Sequence, residues 1–434
     1  MEYTLQEILR FVEENDVKFV KLAFCDIFGV QKNISILSSY LENALTNGVS
    51  FDASKIEGFS SFERKDLFLF PDPSTMTILP WRPQQGRVIR LFCDIRHSDG
   101  SAFAGDCRAV LKKSVQFASK LGYTCRIGTD CEFYLFELDE KGQPTVIPHD
   151  NAGYFDIAPF DRGENVRRDI CMTLEDMGIM PETSHHEKGP GQSEIDFRHS
   201  SALNAADNFI TFKSVVKSIA NRNGLYASFM PKPLEAGCGS GLHINITMNK
   251  NGENIFRTDT KKLSGAAEGF AAGILNRIPS LTAFLNPTTN SYKRLAEENA
   301  PKHIAWSEEN LQQLLRITHE SSSPARLEIR SADSACNPYI AFALLLYAGL
   351  EGIESGRSLG SSADTAAEII ENTPSLPKNL NDSIMLATGS DFIKKVLPSE
   401  AISAYLNAKF TEWQSQTLAS NPHEYEMDSY FNKL

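Results

Sequence analysis

At 434 residues the chain is too long for one ordinary core, and two domains are expected. Its formal net charge of −12 argues against nucleic acid or an anionic membrane as the main partner, because both reward basic surface. The longest apolar run, IAFALLLYAGL at 340–350, suits a core helix and falls short of a bilayer span.

Thr4 is placed to cap a first helix with Leu5, Ile8, Leu9 and Val12 on one face. The start MEYTLQEILRF has neither the basic beginning nor the small-residue cleavage site of a secretory signal. A strand-like VKFVKLAFCDIF follows, and prolines punctuate short β-rich runs such as MTILPW and GRVIRLFC. These features predict a small mixed domain over residues 1–100, with HSDGSAFAGD (97–106) as the linker and a larger domain over 101–434. That second domain is expected to open on a helix at 107–121, and Asn337-Pro338 starts its strongest helix with Pro at N1. Eight cysteines (Cys25, Cys93, Cys107, Cys125, Cys131, Cys171, Cys238 and Cys336) form no CxxC pair, and most sit in apolar runs. That spacing predicts reduced, buried thiols in a cytoplasmic protein.

Four short runs in the larger region share one pattern. GTDCEFYLF spaces Asp130 and Glu132 two apart, SEIDF does the same with Glu194 and Asp196, GLHINIT alternates His243, Asn245 and Thr247 with apolar residues, and ARLEIRS alternates Arg326, Glu328 and Arg330. Because strand side chains alternate faces, each run puts carboxylate, imidazole or guanidinium groups on one side. A single run of this kind is better explained as a half-exposed strand; four with complementary chemistry point to a site. Carboxylates that face one another repel unless cations lie between them, and such a hard-ligand set suits Mg²⁺ or Mn²⁺. Arginines on the same face suit phosphate or carboxylate, so the combination is the equipment of phosphoryl transfer. HHEKGPGQSEIDF (185–197) adds Glu187 across a Gly-Pro-Gly turn from Glu194, with His185 and His186 left unassigned.

HHEKGPGQSEIDF, FMPKPLEAGCGSGLH (229–243), NPTTNSYKRL (286–295), ARLEIRSADSACNPY (325–339) and FDASKIEGF (51–59) together resemble the glutamine synthetase family, in its bacterial type I branch, over roughly residues 15–430. The resemblance implies an α+β fold: a small β-grasp-like N-terminal domain and a large catalytic domain whose antiparallel strands form a funnel flanked by helices. It implies a homo-oligomer, a dodecamer of two hexameric rings with active sites between subunits. The implied reaction uses ATP to convert glutamate to γ-glutamyl phosphate, which ammonia or a primary amine then attacks.

Residue by residue, the resemblance assigns Glu132, Glu187 and Glu194 to one metal site and Asp130, His243 and Glu328 to a second, with two or three Mg²⁺ or Mn²⁺ per active site. Asp130 stands where the family has Glu. Arg294, Arg330 and Gly239 match glutamate-binding positions, although Cys238 replaces the Asn before that glycine. Arg316 and Arg326 match arginines near the phosphates, and Glu182, Asn245 and Thr247 match nucleotide contacts, although Asn245 and Thr247 replace the usual His and Ser. Asp52 matches an aspartate lent by the neighbouring subunit, and Lys55 follows it where a small Ser is usual. Two departures bear on chemistry. Asn299, in the shortened AEENAPKH (296–303), replaces the flap glutamate that helps deprotonate ammonium, with Glu298 its substitute only after a loop shift; Leu311 replaces an arginine for the transferring phosphoryl group. ENTPSLPKNLNDS (371–383) has no tyrosine for adenylylation, and Ser61 replaces a feedback-inhibition arginine. Three readings follow: a glutamate–amine ligase, slightly preferred; a true glutamine synthetase; and a non-catalytic scaffold that keeps the fold.

Overall fold

The computed structural model describes residues 4–434 apart from Phe62, Arg64, Pro83 and the stretches 258–262, 319–324 and 365–372. The regulatory stretches at 58–64 and 371–383 therefore lie partly outside the described residues.

Two sheets organise the chain. The first has six strands: β1 (Val17–Cys25), β2 (Gln31–Leu37), β3 (Val49–Asp52), β4 (Asp66–Pro71), β5 (Thr77–Ile78) and β6 (Arg87–Arg96). Their order is β2-β1-β6-β4-β3, with β5 beside β6. Only β1 and β6 run parallel. Helix α1 (Leu5–Glu14) begins at Thr4, the expected cap, whose hydroxyl and the Glu7 carboxylate form a reciprocal capping box. It buries Ile8 and Val12 while Leu5 stays exposed.

The second sheet has eleven strands: β7 (Tyr123–Leu138), β8 (Pro144–Pro148), β9 (Pro181–His186), β10 (Gln192–Phe197), β11 (Ser200–Ser201), β12 (Leu225–Ser228), β13 (Leu242–Lys250), β14 (Glu253–Asn254), β15 (Trp306–Ser307), β16 (Leu315–Thr318) and β17 (Arg326–Ile329). The main path runs β15-β16-β17-β13-β7-β10-β9. Antiparallel pairing is the rule, as expected, but β15 lies parallel to β16. The sixteen-residue β7 touches five neighbours and is the spine of the site.

Helices back the apolar face of this sheet. The helix Pro338–Glu354 starts at the Asn337 cap with Pro at N1 and packs against Gly265–Leu285. Their backbones meet so closely that only glycine fits: a Cβ at Gly273 would lie 2.2 Å from the Ala348 carbonyl oxygen, and one at Gly352 2.0 Å from that of Gly269.

The stretch 97–106, expected as the linker, forms a packed turn. The His97 N–H donates to the Ser101 carbonyl at 2.8 Å, the Phe103 N–H donates to Ile95 at 3.0 Å, and the Phe103 ring is buried against Phe59. Asp106 caps the helix Cys107–Lys120 and also accepts from the Ile95 N–H at 2.9 Å. Gly, Ser and Asp mark the turn chemistry, but composition is silent about the buried ring. Arg108, only 4% exposed, then fastens the small sheet to the large region, reaching Asp72 at 2.9 Å, Asp94 at 3.0 Å and Asp207 at 3.0 Å. Removing it would leave Lys112 beside Asp72 and Asp94 but Asp207 without this ion pair, the costly way to break a buried ionic group.

Candidate active site

Register builds the site. On β10 and β7, Glu194 lies opposite Glu132 and Asp196 opposite Asp130. On β13 and β7, His243 lies opposite Asp130. Across β13 and β17, Asn245 faces Glu328, and Glu328 faces Arg316 on β16. Directly opposed strand residues share a face, so one continuous row of carboxylates, imidazole and arginines lines one side of the sheet. Cys131, Ile195, Leu242, Ile244 and Leu327 point the other way into the core.

That row walls a cavity of about 900 Å³ that also receives Gly239, Arg294, Asn299, Leu311 and Arg330. A second compartment of about 620 Å³ shares Asp130, Thr183, Asp196 and Arg326 with it and receives Glu182, Asn245 and Thr247. Fifteen of the sixteen sequence-predicted site residues thus line two adjoining compartments. Asp52 is the exception. It lies at the exposed end of β3, where its carboxylate accepts from the Ser54 N–H at 2.9 Å and caps a short turn. A single chain does not carry it into the cavity. Lys55 is likewise exposed.

The carboxylates are crowded. Asp130, Glu194 and His243 bring ligand atoms within 4.8 Å of one another, as do His185, Glu187 and Glu194. Glu132 is held differently, accepting from the Gln192 side-chain amide at 3.1 Å and the Gly241 N–H at 2.9 Å. Glu328 pairs with Arg330, with Arg316 at 3.5 Å and with His243 at 3.5 Å. The grouping of Asp130 with Glu194 and His243 thus crosses the two trios that the resemblance implies. Burial and the neighbouring Asp196 push Asp130 up to about 7, and burial with Glu187 does the same to Glu132. Burial, with Glu132 and Asp196 close by, pushes Glu194 up to about 9. Burial and the Arg330 charge press His243 down to about 3, leaving a neutral imidazole with one ring-nitrogen lone pair to offer.

Several residues that matter here were given no role from the sequence. His185 stands 3.3 Å from both Glu187 and Glu194; burial opposes its protonation, but hydrogen bonds to those two carboxylates raise it to about 10. His186 is a core group, fully buried against Asp150 at 2.9 Å. Asp196 joins both compartments, which its place in SEIDF beside Glu194 foreshadows. Glu297, rather than Glu298, turns inward and pairs with Lys232; nothing in the local sequence separates the two. Tyr154 and Phe155, about half exposed, flank His185 at the rim.

Comparison with known proteins identifies the family. The family model for the β-grasp domain of glutamine synthetase matches residues 16–98, and that for its catalytic domain matches 104–430. A glutamine synthetase of Clostridium saccharobutylicum is 44% identical, with 100% of this chain and 99% of the relative covered. One from Methanosarcina mazei is also 44% identical, covering 99% and 98%. Among solved structures, a GmaS/ADP complex superposes with a TM-score of 0.86 at 29% identity over 99% of each chain. Apo GmaS gives 0.85 at 30% over 98% and 99%. The chain belongs to the glutamine synthetase family, whose β-grasp and catalytic domains it carries over nearly its whole length.

Proposed function

We propose that the acceptor of this ATP-dependent glutamate ligase is a primary amine other than ammonia. The observation that carries the reading is the flap: Asn299 occupies the cavity wall, Glu298 is exposed and outside it, and Glu297 is engaged by Lys232. Among the described flap residues, none therefore places an uncommitted carboxylate in the cavity to draw a proton from ammonium. A neutral amide leaves that role open and the mouth wider.

In the proposed chemistry Arg294, Arg330 and Gly239 hold glutamate so that a γ-carboxylate oxygen attacks the terminal phosphorus of ATP and ADP departs. Arg316 and Arg326 face the phosphates, while Glu182, Asn245 and Thr247 line the nucleotide compartment. The amine nitrogen then attacks the γ-carbonyl carbon, phosphate leaves, and the nitrogen gives up one proton. Glu132, Glu187 and Glu194, with Asp130, His243 and Glu328, would hold two or three Mg²⁺ or Mn²⁺. The donor set fits, since oxygen ligands and one neutral imidazole suit hard cations, and the raised protonation of Asp130, Glu132 and Glu194 reflects burial and, after it, mutual repulsion, both of which a divalent cation would offset. Bound there, the cations would neutralise phosphate charge and favour in-line transfer. Asp130, one methylene shorter than glutamate, donates from further back.

A dodecamer of two hexameric rings, with Asp52 supplied by a neighbour, is supported by Asp52 lying exposed outside the cavity. Tyr154 and Phe155 at its rim, and Ile157 and Phe160 further along the same loop, also stand 50–73% exposed. No helix among the described residues is long and apolar enough to cross a membrane. Eight unpaired thiols suit a reducing cytoplasm.

A second reading, glutamine synthetase itself, is favoured by the 44% identity to proteins of that name. Phosphate release from ATP with Mg²⁺ and glutamate, tested against ammonium, methylamine, ethanolamine, putrescine and spermidine, separates the readings. Turnover highest with one of the amines supports the proposal, and turnover with ammonium alone establishes the second reading. No turnover with any acceptor leaves a catalytically silent scaffold.

A further inference from the structure

The loop 237–241 carries Gly239 past the cavity, and two separate sets of contacts hold it. On the metal side, the Gln192 amide donates to the Gly239 carbonyl and the Ser240 hydroxyl at 3.1 Å each. The Gly241 N–H donates to Glu132 at 2.9 Å. On the opposite side, Glu297 accepts from the Gly239 N–H at 2.8 Å through one carboxylate oxygen and pairs with the Lys232 ammonium through the other. Lys232 also donates to the Gly237 carbonyl, so one ammonium gathers both ends of the clasp. Its own backbone is fixed by Asn290, which accepts from the Lys232 N–H at 2.7 Å and donates to its carbonyl at 3.0 Å.

The packing is tight as well as polar. A Cβ on Gly239 would lie 2.6 Å from Arg294 Cγ and 2.9 Å from Glu297 Oε2, so glycine, arginine and glutamate share one confined space. The Glu297 and Lys232 side chains are 27% and 10% exposed, which shields the pair from much of the solvent screening that weakens surface ion pairs. Cys238 gives the loop no comparable side-chain anchor; its carbonyl accepts from the Tyr134 hydroxyl at 2.6 Å instead. Glu297 also lies two residues before Asn299, so the same carboxylate ties the glutamate loop to the flap.

From this geometry we propose that Glu297, with Lys232, is a positioning residue for the amino-acid substrate. It holds the Gly239 loop against Arg294 and couples glutamate binding to the placement of the flap. The proposal rests on Gly239 and Arg294 holding glutamate, and it is independent of which amine accepts.

Steady-state kinetics on the full-length protein test it. Glu297→Ala should raise KM for glutamate about tenfold, and the isosteric Glu297→Gln about threefold, with KM for ATP within about twofold of the starting protein. Lys232→Met should show the same selectivity, and Lys232→Met combined with Glu297→Ala should be no worse than the poorer single variant, as expected of two halves of one interaction. An unmoved or lowered KM for glutamate, or equal rises for glutamate and ATP, would overturn the proposal. So would a Glu297→Gln chain that no longer folds, since the pair would then be a structural tie only. If the unsubstituted protein shows no glutamate-dependent turnover, the ligase reading fails and takes this proposal with it; normal turnover with an unmoved KM in Glu297→Gln sinks this proposal alone.

Discussion

The two ends of the cavity are built on different materials. The carboxylate end stands on β7, β10, β13 and β17, where ladder register fixes Asp130, Glu132, Glu194, His243 and Glu328 relative to one another. The acceptor end stands on loops: Asn299 and Leu311 lie on irregular segments, and Leu311 is 54% exposed. A strand residue cannot shift by one place without turning every side chain over, so substitutions there tend to break the site. A loop absorbs substitution and even a shortening such as the resemblance implies at 296–303. Of the departures that the resemblance implies, Cys238, Asn299 and Leu311 lie on loops and follow this division, while Asp130 on β7 and Asn245 and Thr247 on β13 are strand-borne exceptions. The lesson is that the sheet sets what kind of chemistry is possible, while the loops select what enters it.

The largest expected effect breaks the strand-borne end. His243→Ala or Glu194→Ala should weaken Mg²⁺ or Mn²⁺ binding by about 100-fold, and chelation should abolish turnover until the cation is restored. Activity that survives chelation would remove the cations from the account. A large effect should also come from Asp52→Ala, at about 100-fold in turnover if that carboxylate helps the amine lose its proton. Mixing Asp52→Ala chains with Arg330→Ala chains should then recover part of the activity, because hybrid interfaces would contain sites with both residues; no recovery would place Asp52 outside the site. Smaller is Leu311→Arg, which should speed phosphoryl transfer about tenfold by restoring a positive charge beside the phosphates. Burst measurements of acyl-phosphate formation would detect it, and an unchanged rate would show that the loop holds Leu311 away from the transferring group.

The smallest effect concerns pH. Asp130 and Glu132 bind protons up to about 7 and Glu194 up to about 9, all above their unfolded values. Between the ordinary carboxylate range and those values the folded chain holds more protons than the unfolded one, so stability falls as pH rises. Thermal melting of the metal-free protein should therefore drop from pH 5 towards pH 9, and Mg²⁺ should remove most of that slope. An equal slope with and without Mg²⁺ would mean that the cation does not sit among these carboxylates.

Much of the strand-borne end was legible in the sequence. Strict alternation in GLHINIT and ARLEIRS reported both the strand and its polar face, because period-two patterning is the direct image of a pleated sheet with one side buried. The Asn337-Pro338 start and the Thr4 cap were legible for a similar reason, as both are local devices. What stayed hidden depends on residues far apart in the chain. Arg108 meets Asp207 across 99 positions, and Lys232 meets Glu297 across 65. Neither pairing leaves a periodic trace. His185 looked the same as His186 on paper, yet strand alternation sends one to the carboxylates and the other to Asp150. The parallel placement of β15 against β16 was equally invisible, since two-residue strands carry no pattern.

The claim that the acceptor end has been re-specified by its flap is tested most directly by Asn299→Glu. We predict that kcat/KM for ammonium relative to methylamine rises about tenfold in this variant, because a carboxylate regains the place from which a base acts. A ratio that stays the same or falls would contradict the account.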